Sequence, residues 1–205
     1  MEWKRMPLGL VETNCYVLQK GKEALIVDPG GDEEKIVSYI KQEELKPLAI
    51  LLTHAHFDHI GAVDVVRDTF HIPMYVSKVE SEWLGDPQLN GSQFFSLPPV
   101  VVKEADHFIE EGPHTIGPFA IRVVSTPGHS PGSLSFCFDE EGIVVSGDTL
   151  FHGSIGRTDL PGGDYEQLID SITTQLLSLP AKTKVLPGHG PETTIEQEKE
   201  TNPFL

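Results

Sequence analysis

Apolar positions along this chain fall into two rhythms. Val11 to Gln19 and Glu23 to Asp28 are strand-like runs flanking Lys20-Gly21-Lys22, the signature of a hairpin. Asp28-Pro29-Gly30-Gly31 stops the second run. Asp32 is then placed to cap a helix reaching about Glu44, with Ile36, Val37 and Ile40 as its apolar stripe. Pro47 introduces a strand from Leu48 to Thr53, and after a polar loop the spacing of Val63, Val65, Val66 and Phe70 predicts a helix over Ile60 to Phe70. Pro73 to Val76 reads as a strand and Lys78 to Leu84 as a short helix. Strand, helix, strand, helix is an α/β rhythm. Gly85 to Pro99, rich in Gly, Pro, Asn and Ser, reads as a surface loop and a candidate lid.

The texture then changes. Val100 to Val102, His107 to Ile109, Phe119 to Ser125, Leu134 to Phe138 and Ile143 to Ser146 are short β-rich runs split by Gly and Pro, which predicts a second sheet. A helix from about Asp164 to Leu179 and a strand from Thr183 to Leu186 follow. Two half-chains that each end in sheet and helix predict an αβ/βα sandwich, with function where the strand ends meet.

Composition narrows the picture. The 205 residues suit one large domain spanning 1–205, and 39% apolar with 22% charged residues is ordinary for a globular protein. A formal charge of −16, scattered along the chain, repels phosphate backbones, so nucleic acid is not the expected partner. Cys15 and Cys137 sit in apolar runs without metal-type spacing and read as buried, reduced packing residues. Neither a signal peptide nor a membrane span is evident, so a cytoplasmic protein without a membrane partner is expected; its oligomeric state is open.

The chemistry concentrates behind the run Leu48 to Leu52. Thr53-His54-Ala55-His56-Phe57-Asp58-His59 holds three imidazoles and a carboxylate, groups that a core would struggle to satisfy but that divalent zinc, manganese or iron take as ligands. A strand feeding a loop and a helix would set His54 beside His56 and turn Asp58 and His59 towards a second ion. Three more strand ends each offer one ligand-type side chain among Gly, Pro and small residues. They are His129 in Thr126-Pro127-Gly128-His129-Ser130, Asp148 in Ser146-Gly147-Asp148-Thr149, and His189 in Pro187-Gly188-His189-Gly190.

His54-x-His56-x-Asp58-His59 followed by His129, Asp148 and His189 resembles the metallo-β-lactamase superfamily of binuclear hydrolases, from about Asn14 to His189. The resemblance implies a four-layer αββα sandwich. It implies His54, His56 and His129 on one metal, Asp58, His59 and His189 on the other, and Asp148 bridging them. Gly147-Asp148-Thr149-Leu150-Phe151, the stretch from Ser154 to Asp164, and the ending Asn202-Pro203-Phe204-Leu205 are similar to short bacterial members of the glyoxalase II (hydroxyacylglutathione hydrolase) branch. That branch implies hydrolysis of small-molecule thioesters with two divalent ions, zinc first and iron or manganese as alternatives.

Arg157 matches a basic, substrate-contacting position of that branch, but Asp159 stands where those enzymes carry a tyrosine, and about sixteen residues follow His189 where longer members add a helical domain. The thioester chemistry transfers more readily than glutathione recognition. Two divalent cations against Asp58, Asp148 and one hydroxide leave a net positive centre, suited to an oxyanion, and a bridging water should ionise near pH ~7. That hydroxide is the expected nucleophile, so no Ser or Cys triad is needed, and Ser130 and Ser146 read as supporting or turn residues. His152, between Asp148 and Arg157, is a second candidate for substrate contact. His71, His107 and His114 have no companions and read as surface residues. The alternative is a persulfide dioxygenase-type oxidoreductase of the same superfamily, with a single iron on the equivalents of His54, His129 and Asp148.

Overall fold

The computed structural model describes residues 1–95 and 98–205. The chain divides into two compact units, one of residues 1–109 and 115–119, the other of residues 110–114 and 120–205.

The first unit opens with three antiparallel strands, β1 (Glu2–Leu8), β2 (Thr13–Lys20) and β3 (Glu23–Val27). The β2–β3 hairpin turns at Gly21 as its sequence predicts. From β3 onward the pairing is parallel, through β4 (Lys46–Leu51), β5 (Met74–Val76) and β6 (His107–Phe108). The six strands lie in sequence order. Helix α1 (Glu33–Gln42) links β3 to β4 and buries Ile36 and Ile40. The predicted helix after the His-rich stretch is two, α2 (Phe57–Ile60) and α3 (Val63–Phe70). Side chains from the strands and from the buried faces of these helices form one apolar cluster, which includes Val17, Ile26, Ile50, Val63 and Met74.

Four expectations need correction here. Asp32 stands at the start of α1 with left-handed backbone and does not cap it; its carboxylate accepts from the Gly9 N–H at 3.0 Å and from Lys35 at 2.9 Å. Val100–Val102 joins no sheet, and the Val102 N–H donates to the Leu84 carbonyl at 2.7 Å. The strand at His107 belongs to the first sheet, beside β5. The loop from Gly85 to Pro99 is partly internal, because the side-chain amide of the fully buried Asn90 donates to the carbonyls of Trp83 and Val100 while its backbone carbonyl accepts the Phe57 N–H. Ser96 and Leu97, part of the candidate lid, lie outside the described residues.

In the second unit the sheet runs in the order β14, β13, β10, β9, β8, β7, with β7 at Gly112–Ile116, β8 at Phe119–Ser125, β9 at Leu134–Phe138, β10 at Ile143–Gly147, β13 at Lys184–Pro187 and β14 at Thr193–Thr194. A small hairpin, β11 (Leu150–Phe151) and β12 (Ser154–Ile155), projects after β10. Helix α4 (Tyr165–Ser171) is capped by Asp164, whose carboxylate accepts the Gln167 N–H at 3.0 Å. It passes into a π-type turn at Ile172–Leu176, so the predicted helix to Leu179 is not continuous. Helix α5 (Ile195–Thr201) follows β14. Val124, Cys137, Val144, Leu168, Ile172 and Val185 pack together as this unit's apolar cluster. No helix among the described residues is long and apolar enough to cross a membrane.

Candidate metal centre

In the first unit the parallel strands β3 and β4 deliver their chemistry at their carboxyl ends, as crevice-forming strands do. β3 ends into Asp28 and β4 into Thr53-His54. Asp28 takes a left-handed backbone (φ 51°), which an Asp tolerates better than most residues. Its carboxylate is almost fully buried. Oδ1 accepts the Thr53 N–H at 2.8 Å, and Oδ2 accepts the Thr53 hydroxyl at 2.6 Å and His59 Nδ1 at 2.9 Å.

These partners fix the imidazoles. Since a carboxylate only accepts, Nδ1 of His59 must carry the proton, and the lone pair of the neutral ring is on Nε2. The Thr53 hydroxyl gives its proton to Asp28, so towards His54 Nδ1, 3.1 Å away, it acts as acceptor and again leaves the lone pair on Nε2. His54, His56 and His59 are at most 3% exposed, and the His54 ring centroid lies 4.8 Å from that of His56 and 4.0 Å from that of His59. Asp58 Oδ2 accepts the Thr13 hydroxyl at 2.6 Å and lies 3.6 Å from His59 Nε2. The backbone between the first two histidines is held by Glu80, fully buried, which accepts the Ala55 N–H at 2.6 Å. Gly30 is obligatory in this arrangement, since a Cβ there would stand 1.6 Å from the Asp58 carbonyl oxygen.

The second unit builds its own cluster from parallel neighbours. β10 and β13 run side by side in parallel with Gly147 opposite Pro187, and the Gly188 N–H donates to the Gly147 carbonyl at 2.8 Å. That register puts Asp148 and His189, each just past its strand, at the same end. Asp148 Oδ2 lies 3.4 Å from His189 Nε2 and 3.6 Å from Nε2 of His129, which follows β8. His129 donates from Nδ1 to the Arg157 carbonyl at 2.7 Å, the same tautomer as in the first unit. The chain turns back against Asp148 at Gly156, where a Cβ would come within 1.9 Å of the Asp148 carbonyl oxygen.

Five of the seven predicted ligands are therefore buried, Asp58 and His189 are partly exposed, and each lies in its own unit's cluster at strand ends. The other expectations divide. The Arg157 guanidinium is half-exposed and makes a bidentate pair with Asp159 at 2.6 and 2.7 Å, which pulls the Asp159 carboxyl down to about 2. His152 sits in the β11–β12 turn with Nε2 2.7 Å from the Gln197 side-chain amide. The hydroxyls of Ser130 and Ser146 are engaged by Ser133 Oγ and the Leu150 carbonyl, Ser146 from within β10. His71 and His107 are exposed, and His71 closes α3 in a left-handed conformation; His114 bonds the Glu110 carbonyl at 2.8 Å. Cys15 and Cys137 are buried, which pushes both thiols up, Cys137 to about 11.

Sequence reading missed several supporting groups. Asp28 was marked only as the end of a strand, although an acid opening Asp-Pro-Gly-Gly behind an apolar strand was its signal. Thr13 and Glu80 left no pattern. Glu198, buried on α5, accepts the Gly153 N–H at 2.8 Å, the Thr193 hydroxyl at 2.5 Å and the Asn202 amide at 2.8 Å, while Asn202 also donates to the Ser154 carbonyl at 3.0 Å. The closing Asn202-Pro203-Phe204 thereby latches the hairpin that runs from Asp148 towards Arg157.

Imidazoles whose Nδ1 is held by an acceptor and whose Nε2 carries the lone pair, beside carboxylates, are the donor set of a borderline divalent metal. A family model described as the metallo-β-lactamase superfamily matches residues 8–189. The chain belongs to the metallo-β-lactamase superfamily. Over its whole length it is 53% identical to a probable metallo-hydrolase, YqgX, of Bacillus subtilis, of which it covers 98%. A hydroxyacylglutathione hydrolase, GloC, of Haemophilus influenzae is 38% identical, with 98% of this chain and 96% of that protein aligned. Among solved structures, BLEG-1, described as a B3 metallo-β-lactamase, is 55% identical with a TM-score of 0.98 over 100% of this chain and 99% of that one. TTHA1623, described in a di-iron-bound form, is 40% identical with a TM-score of 0.88 over 98% and 100%. The chain is accordingly an enzyme of the superfamily's metallo-hydrolase type, with its mixed α/β fold of two sheets and its divalent-metal chemistry.

Proposed function

We propose that this metallo-hydrolase cleaves thioesters, S-2-hydroxyacyl thiols first among them, to a hydroxy acid and a thiol, with residues 1–205 acting as one hydrolase domain. His54, His56 and His129 would hold one divalent ion, Asp58, His59 and His189 a second, with Asp148 shared. Zinc suits this mixture of imidazole and carboxylate, and iron and manganese remain open. Bound, the ions would supply Lewis acidity and a hydroxide nucleophile at neutral pH.

The protein's own part is to orient and to balance charge. Asp28, Thr53 and the Arg157 carbonyl keep the ring protons on Nδ1, so Nε2 is presented in its ligating form. Asp58 and Asp148 supply two negative charges, fewer than two divalent ions bring, which leaves a positive field for the developing oxyanion. A thiol leaves as thiolate at a pKa of ~8.5, so the site needs no strong acid to protonate it. Arg157 and His152 are the groups assigned to substrate, Arg157 to a carboxylate of it, in exchange for its pairing with Asp159.

The observation that carries this reading is the relative named a hydroxyacylglutathione hydrolase, 38% identical across 98% of the chain. The test is a thioester panel in which acyl and thiol halves vary separately, run on protein of known metal content. Release of thiol dependent on metal supports the reading; a panel with no turnover sinks it, and oxygen uptake during turnover would turn it towards the dioxygenase. The 55% identical structure described as a B3 metallo-β-lactamase favours a second reading, cleavage of a β-lactam amide by the same centre. A chromogenic cephalosporin tested beside the thioesters ranks the two by kcat/KM.

A further inference from the structure

The turn between β1 and β2 holds its apolar side chains outward. Leu10 is 80% and Val11 40% exposed, and Val101, ahead of β6, is 62% exposed. Placing three aliphatic residues in water opposes burial and in a folded protein marks a binding surface when they share one concavity. They do share one. A groove of about 430 Å³ is lined by Leu8, Leu10, Val11, Phe57, Val100 and Val101, closed by prolines and glycines, with Asp58 in its wall. That volume falls within the ~300–1,000 Å³ of small-molecule sites. Among the described residues of the lining Asp58 is the one ionisable group, with no Lys, Arg or His beside it.

We infer that this groove receives the acyl chain of the substrate and selects an uncharged, apolar one. The inference rests on the thioester hydrolase reading, which places the scissile carbonyl beside the ligand Asp58. The thiol half of a glutathione-like substrate carries carboxylates, and a lining with one acid and no base cannot pair them. The acyl half has no such need. A 2-hydroxyacyl group whose carbon chain extends beyond a methyl would lay that chain along Leu10, Phe57 and Val101. Each methylene moved from water into such a groove is worth ~4-fold in kcat/KM, the equivalent of ~0.8 kcal/mol, until the groove is filled.

Two parallel series test this. In the first, kcat/KM is measured for thioesters of one neutral thiol, N-acetylcysteamine, with acyl chains lengthened one methylene at a time and one chain ended in a carboxylate. In the second, Kd is measured by calorimetry on the metal-loaded protein for the matching S-alkyl thioethers, which bind but cannot be hydrolysed. Both should improve about 3- to 4-fold per methylene over the first few, and the terminal carboxylate should reverse the gain by 10-fold or more. Leu10→Ser and Val101→Ser should each flatten both slopes to below about 2-fold, whereas Val79→Ser, 63% exposed and outside the groove, should leave them as they are. Flat slopes in the unaltered protein, or slopes indifferent to Leu10→Ser and Val101→Ser, would overturn the inference. Graded thioether binding without any thioester turnover would uphold the groove and overturn the assigned reaction.

Discussion

Gly156→Ala should disable most of the activity without replacing any of the proposed ligands. Gly156 has none of the positive φ that would make alanine a strained choice, so its effect comes from space alone. The new Cβ would stand 1.9 Å from the carbonyl oxygen of Asp148 and 3.2 Å from Cβ of His129, and real Cβ atoms essentially never approach closer than 3.0 Å. The irregular segment that follows β12, or Asp148 itself, must therefore give way by about 1 Å, a displacement that typically costs a catalytic site ~10²-fold. Moving Asp148 disturbs the carboxylate that sits near both His129 and His189. Overpacking of this kind costs about 1 to 3 kcal/mol of stability, so the variant should still fold. Metal per chain by plasma mass spectrometry, thioester turnover and thermal melting, read together, should show metal affinity down by ~10-fold or more and kcat down by ~10²-fold in a folded protein. Gly85→Ala is the control, because a Cβ there meets nothing within 4 Å. If Gly156→Ala kept wild-type metal content and turnover, the reasoning from backbone approach to ligand position would be wrong.

Other consequences follow from the supporting groups. Asp28→Asn should weaken metal binding by ~10- to 100-fold with secondary structure intact by circular dichroism, since the amide can no longer accept from both Thr53 and His59 on the same side; unchanged affinity would remove Asp28 from the positioning role. Glu198→Ala strands the Gly153, Thr193 and Asn202 donors and should cost about 3 to 5 kcal/mol in denaturant unfolding, with Asn202→Ala milder; a loss under about 1 kcal/mol would mean that the C-terminal latch is not stabilising. Cys137, raised by burial to about 11, should resist alkylation at pH 8 until the protein unfolds. Its pKa is higher folded than unfolded, so the stability it contributes is complete below about pH 9 and is lost as pH rises towards about 11; a native thiol that reacts like a free one at pH 8 contradicts its burial.

The proposed ligand residues were legible because chemistry broke the pattern. Imidazoles and acids immediately behind apolar strands are out of place unless something binds them, and β4, β8, β10 and β13 were each marked by their own apolar runs. What pairs with what was less legible. β1 was passed over because Glu2, Lys4 and Arg5 alternate with residues that are only partly covered, so an edge strand looked like a polar terminus. The run at His107 reads as β whichever sheet accepts it, and periodicity carries no address; only its parallel register with β5 places it in the first sheet. The break at Gly61-Ala62 hid inside a continuous helical spacing, and the π-type turn at Ile172 hid in another. Support residues such as Glu80 and Glu198 were illegible for a general reason. Their carboxylates satisfy backbone N–H groups far away in sequence, and nothing local distinguishes them from the acids that face water.

The most direct test of the account is a metal titration of the chelator-stripped protein, with thiol release from an S-2-hydroxyacyl thioester as the readout. The account predicts no release without metal, a rise with added zinc or iron, and a plateau at two equivalents per chain. A plateau at one equivalent, or no thiol released at any metal loading, would contradict it.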